Sequence, residues 1–167
     1  MHRRRSAVAA VGATLLGLTT AGASGGATAA EPGVVHVAAS NFRFCAQAPC
    51  DASDQAYVRT DSGRLVDNAA NFVDVRPGDT VVWNYEDTSC DGLVAGPLLT
   101  CPGHEVQFET GQAARGTVGT MPARQGPQSL SWTVPADAEP GDVLRYYCDL
   151  SDHWRLGVTG ALLVTGG

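Results

Sequence analysis

Cys148 and His153 are separated by four residues in the segment Tyr146-Tyr147-Cys148-Asp149-Leu150-Ser151-Asp152-His153. A thiol at the end of a strand-forming run and an imidazole in the loop that follows can reach one metal ion. A third donor stands upstream: His104 opens the alternating stretch His104-Glu105-Val106-Gln107-Phe108. Two imidazoles and a thiolate make a His2Cys set. In a trigonal plane with a weak or absent axial ligand, that set defines a copper site for one-electron transfer, because a rigid N/S frame serves Cu(I) and Cu(II) alike. Zinc takes the same donors tetrahedrally and wants a fourth ligand, for which Asp149, Asp152 or water would stand. Taken singly, each residue also has a plain reading, the cysteine as a small buried hydrophobe and the histidines as packing or surface groups. His36 lies mid-strand, far from the motif, and reads as structural or surface.

The cysteine count supports a special role for Cys148. Arg3, Arg4 and Arg5, the apolar stretch Ala7 to Leu18 and the small residues Ala27-Thr28-Ala29-Ala30 form a three-part secretory signal, with cleavage expected after Ala30. The apolar run falls short of the ~20 residues that a bilayer span needs. Residues 31–167 are expected to form one secreted, extracytoplasmic domain of 137 residues, its formal charge moving from −6 to −9 as three arginines leave with the signal. In an oxidising compartment cysteines pair, and five of them leave one over. Connectivity cannot be read from sequence. The local pairs Cys45–Cys50 and Cys90–Cys101 are favoured, and they leave Cys148 unpaired.

The elements that must position these donors are strands. Helical periodicity is scarce, and short alternating runs separated by Gly, Pro, Asp and Asn indicate an all-β sandwich. Strands are expected at Val34–Ala39, Ala56–Thr60, Asn71–Val75, Thr80–Tyr85, His104–Glu109, Ser129–Val134, Val143–Cys148 and Val158–Val164. Arg76-Pro77-Gly78-Asp79 suits a type II turn, with Gly supplying a positive φ, and a second Pro-Gly-Asp at 140–142 introduces the strand ending at Cys148. Asp87–Gly103 and Gly111–Gln128 are long enough to be functional loops.

With these pieces in order, the chain resembles the cupredoxin family, the plastocyanin-, pseudoazurin- and azurin-like proteins. The resemblance is carried by Pro77-Gly78-Asp79-Thr80-Val81-Val82-Trp83-Asn84, by the His-x-Val-x-Phe strand from His104, and by the Tyr-Tyr-Cys…His…Gly-Val-x-Gly ending. It implies a Greek-key β-sandwich of about eight strands. It also implies one copper ion held by His104, Cys148 and His153, and a one-electron carrier role. Three departures stand out. The family's axial methionine falls at Val158 here, with Leu156 as the nearest rival, and neither can coordinate. Met121, in what reads as a different loop, is not expected to replace it. Nineteen residues, Tyr85 to Gly103, separate the Trp83 strand from His104, where the family has few. Glu105 replaces a common asparagine, putting in doubt the hydrogen bond that ties the two ligand loops. Trp154 would either line an apolar surface around an exposed His153 edge or simply pack.

Composition narrows the function further. All 11 basic residues are arginines, outnumbered by 17 acids with no basic run beyond the Arg3–Arg5 of the signal, which argues against nucleic-acid and anionic-membrane binding. A copper oxidase or nitrite reductase needs further histidines, but His36 is the one spare in the mature chain and no His-x-His occurs. An electron carrier is therefore expected rather than an enzyme, as a monomer. Asp149 and Asp152 would favour a redox partner basic at its docking face. A copper- or zinc-binding structural module is the alternative.

Overall fold

The structure is a computed structural model and describes residues 31–40, 42–86, 103–112, 114, 116–123 and 125–166. The expected signal at 1–30 and most of the Tyr85–Gly103 insertion, with Cys90 and Cys101, lie outside the described residues.

Eleven strands form among them: β1 Val34–Ser40, β2 Arg43–Cys45, β3 Tyr57–Arg59, β4 Leu65–Asp67, β5 Val73–Val75, β6 Thr80–Tyr85, β7 Gly103–Phe108, β8 Thr117–Pro122, β9 Gln128–Thr133, β10 Val143–Tyr147 and β11 Thr159–Val164. One sheet runs β2-β1-β6-β9 and the other β5-β11-β10-β7-β8, while β3 and β4 make a separate ribbon. The all-β sandwich is thus borne out, with nine strands in its two sheets where about eight were expected. The additions are short or punctuated. β2 and β4 have three residues each, and β8 carries Gly119 and Pro122, so its sequence reads as a loop. β8 lies at a sheet edge, where a terminal proline costs no ladder bond.

Alternation explains the layering. In β6, Val81, Trp83 and Tyr85 turn inward and are essentially buried, as a strand with one core-facing side requires. Trp83 meets Tyr146 of the opposite sheet edge-to-face at 5.3 Å and Phe108 at 6.4 Å. Both Pro-Gly-Asp segments form the same device. Gly78 and Gly141 take φ of +87° and +97°, and the turns close through Asp79 N–H to Arg76 O and Asp142 N–H to Glu139 O, each at 3.0 Å. The Asp79 carboxylate also accepts from Gly33 and Arg76 N–H groups at 2.7 and 2.8 Å, tying the start of β1 to this turn. Cys45 and Cys50 are disulfide-bonded, as expected, and Cys148 is a free, buried thiol.

Antiparallel pairing of β10 with both β7 and β11 brings the start of β7, the end of β10 and the start of β11 to one end of the five-stranded sheet. His104, Cys148 and the Leu150–Leu156 3-10 segment with His153 occupy that end. No helix among the described residues is long and apolar enough to cross a membrane.

Candidate metal centre

His104 is placed by its neighbour. Gly103 has φ of +106°, and a Cβ there would overlap the Met121 carbonyl, so only glycine brings β7 this close to β8 just before the histidine. Cys148 follows the last residue of β10 and is fixed by its backbone, its N–H donating to Val158 O at 3.0 Å. The chain then turns through Ser151 and Asp152, non-glycine residues with φ of +51° and +56°, and presents His153. The turn closes by Trp154 N–H to Cys148 O at 3.0 Å and Val158 N–H to His153 O at 3.2 Å.

The structure brings the three expected donors together. One donor atom each from His104, Cys148 and His153 lies within 4.8 Å of the others, and all three residues are buried. Cys148 Sγ is 3.5 Å from His153 Nδ1. Burial pushes the Cys148 thiol up to about 11, against the opposing effect of hydrogen bonds from the Glu105 and Leu150 backbone N–H groups; the former spans 3.3 Å to the sulfur. Burial, and secondarily the nearby His153, lowers His104 to about 4, so near neutral pH its imidazole is uncharged and able to coordinate. His104 Nδ1 is buried with no hydrogen-bond partner among the described residues. An orphaned buried nitrogen costs free energy unless something binds it. The place of His104 beside a thiol and a second imidazole fits a metal ion of the copper or zinc kind.

The surroundings are apolar and aromatic, and come from the other sheet and its β1–β2 turn. Tyr85 at the end of β6 meets His104 edge-on at 4.7 Å, and Phe44 of β2 lies 5.6 Å from the same ring. Phe42 packs edge-to-face on His153 at 4.9 Å and approaches His104 at 6.3 Å. None of the three was marked by the sequence, because Phe42 and Phe44 stand in a stretch that reads as a connection. Their alternation, Phe-Arg-Phe ahead of a bridged cysteine, was the available signal.

Several expectations about the periphery change. His153 is 1% exposed, so among the described residues it presents no open edge for Trp154 to frame. Trp154 is half-buried between two guanidinium groups instead, Arg59 at 5.0 Å and Arg155 at 4.4 Å. Asp149 and Asp152 are exposed, and neither joins the donor group. Asp152 and Asp61 both lie against Arg155, so the loop's charge is partly met locally. Met121 is in strand β8 rather than a loop, wholly buried and directly opposite His104. Leu156 is 41% exposed and turns away, while Val158 is wholly buried in the cluster that contains Cys148. Glu105 ties the ligand loops without an asparagine. Its N–H reaches the Cys148 sulfur, and its carboxylate, raised by burial and by Asp149, accepts a hydrogen bond from the Asp149 backbone. His36 is exposed, 3.1 Å from Asn84 on the outer face of the β1–β6 pair, apart from the site.

No protein-family model and no curated protein matches this chain. Among solved structures it is similar to auracyanin B, at 14% identity over 83% of this chain and 94% of that one, with a TM-score of 0.44. It is also similar to rusticyanin from Thiobacillus ferrooxidans, at 15% identity over 79% and 77%, with a TM-score of 0.40. A multi-copper oxidase from Pediococcus acidilactici is similar at 13% identity over 84% of this chain but 28% of the oxidase, with a TM-score of 0.38. Auracyanin and rusticyanin are cupredoxins, the family the sequence resembles. The chemistry of the site rests on this chain's own residues.

Proposed function

We propose that this chain is a secreted, monomeric, cupredoxin-like protein that carries single electrons between redox partners through one type 1 copper ion. His104, Cys148 and His153 are its ligands, and Val158 occupies the axial position without coordinating. The observation that carries this reading is the buried group of two imidazoles and one unpaired thiol within 4.8 Å. A copper ion there supplies a one-electron Cu(I)/Cu(II) couple. The protein's part is to hold the donors still and keep them dry. His104 is anchored in β7 and Cys148 at the end of β10, while Phe42, Phe44 and Tyr85 pack against the imidazoles. Two backbone N–H groups aimed at the sulfur stabilise it as thiolate once its proton has left.

An electron carrier accounts for this site better than an enzyme does. The other group of metal-capable residues among the described ones is Cys45, Cys50 and Asp54, whose cysteines are consumed in a disulfide. The zinc reading loses Asp149 and Asp152 as a fourth ligand, since both are exposed and stand outside the group, and is left with water. Addition of Cu(II) to the purified metal-free protein tests the proposal. Intense thiolate-to-copper absorption that bleaches on reduction, and is absent from Cys148→Ser, is the expected result. A colourless protein that prefers zinc overturns it.

A further inference from the structure

Tyr147 immediately precedes Cys148, and Trp154 immediately follows His153. Both rings face one guanidinium. Arg59 Cζ is 4.6 Å from the Tyr147 ring centroid and 5.0 Å from that of Trp154, inside the range where a cation is held by an aromatic face. The guanidinium is itself held from behind. Its Nη1 lies 3.9 Å from Glu109 Oε2, and Glu109 Oε1 accepts from the hydroxyl of Tyr57 at 2.9 Å, with Glu109 and Tyr57 both buried.

Arg59 belongs to the β3–β4 ribbon, outside both sheets. That ribbon is docked on the five-stranded sheet by independent contacts. Thr159 Oγ1 donates to Tyr57 O at 2.7 Å, and Arg145 of β10 pairs with Asp67 of β4 through Nε and Nη2 at 2.7 and 2.5 Å. Between Tyr147 and Trp154 the chain has reason to need an outside hold. Ser151 and Asp152 occupy the left-handed region, which is strained for residues with a Cβ, and such a turn persists only where its surroundings over-determine it.

We propose that Arg59 is a positioning residue for the Cys148–His153 segment: one guanidinium clamps the aromatic residues at both ends and so fixes the separation of thiol and imidazole. A planar guanidinium can lie against two rings while keeping a carboxylate behind it. A lysine ammonium is a point charge and cannot do all three.

The test compares wild type with Arg59→Met, which keeps the apolar stem, and Arg59→Lys, which keeps the charge. Its first arm uses the metal-free protein, so it is independent of the copper reading. The amide of Trp154, bonded to Cys148 O, is expected to exchange its hydrogen about tenfold faster in Arg59→Met and by an intermediate factor in Arg59→Lys. The amides of Val81 and Trp83 in β6 should be unchanged. Exchange at Trp154 that is unaltered, or that rises only in step with β6, overturns the proposal, since the arginine would then be merely structural. The second arm rests on the proposed function and reads the copper-loaded protein. The thiolate-to-copper absorption and the reduction potential should both shift in Arg59→Met, and unchanged values would show that the clamp does not reach the donors. If wild type takes up no copper, the electron-carrier reading fails while the exchange data still decide the clamp.

Discussion

His104 is buried as a neutral imidazole beside a second one, and this has a consequence for the metal-free protein. Its folded value near 4 lies below the ordinary 6.5 of an exposed histidine. Between pH 6.5 and 4 the unfolded chain therefore binds a proton that the folded chain refuses. Stability from this group is present above 6.5, falls as the pH drops toward 4, and is level below it, the loss being on the order of 3 kcal/mol. Urea unfolding of the metal-free protein should show this decline, and His104→Leu should flatten it; equal slopes in the two proteins would refute the burial account. Cys148 acts at the other end of the scale. A thiol pushed up to about 11 keeps its proton while the unfolded chain loses one, so stability declines as the pH rises from about 9 to 11. The axial position of the proposed copper site also depends on single residues. Val158 is tied to both donors, its carbonyl accepting from Cys148 N–H and its N–H donating to His153 O. A thioether introduced by Val158→Met should stabilise Cu(II) over Cu(I) and lower the reduction potential. Met121→Leu, altering the residue opposite His104, should leave the potential where it was. An unmoved potential in Val158→Met, or a raised one in Met121→Leu, would move the axial assignment to Met121.

β10 and β11 carry the donor segment between them, and their pairing depends on a missing side chain. Gly160 stands opposite Tyr146 in this pair, and the wholly buried Tyr146 ring lies across it, so that a Cβ at Gly160 would overlap the ring. Tyr146 is held in turn by Trp83 at 5.3 Å and Phe44 at 5.1 Å, and has nowhere to move. Gly160→Ala should therefore cost about 3 kcal/mol, the upper part of the overpacking range, measured as a lowered denaturant midpoint. A loss under about 0.5 kcal/mol would mean the ring can shift. The same pair shows how far the elements were legible from sequence. Strands with a buried, alternating side were readable: β6 was expected over its observed range, and β1, β7, β9, β10 and β11 within a residue at each end. Ala56–Thr60 likewise brackets β3, and Asn71–Val75 began too early because Ala69–Asn71 forms a 3-10 turn, while the three-residue β2 and β4 offer too short a period to register. In the site, the donors were legible because few residue types can bind a soft metal. Phe42, Phe44, Tyr85 and Arg59 were not, because their importance comes from contacts across two sheets and a ribbon that no local pattern encodes.

At the scale of the whole molecule, the donors join parts of the chain that are remote in sequence. His104 opens β7, whereas Cys148 and His153 lie beyond β10, and the aromatic lining is supplied by the other sheet. A metal bound by all three donors stabilises only the folded state, because the unfolded chain does not hold His104 near the other two. Its effect on stability then follows from affinity, at about 4 kcal/mol when the free metal is a thousand times the dissociation constant. For a chain of this size that corresponds to a rise of roughly 10 °C or more in the melting temperature. The increase should grow with metal concentration and be largely lost in Cys148→Ser. His36→Ala should keep it, because that residue lies outside the site on the outer face of the β1–β6 pair. A melting temperature indifferent to copper in either oxidation state would overturn the metal centre. An increase of equal size in Cys148→Ser would place the binding elsewhere. Because the frame is already closed around the donors by packing, loading the metal should raise the melting temperature without altering the secondary structure seen by circular dichroism. A large spectral change on loading would mean that the metal builds the site, and would count against a rigid frame suited to carrying electrons.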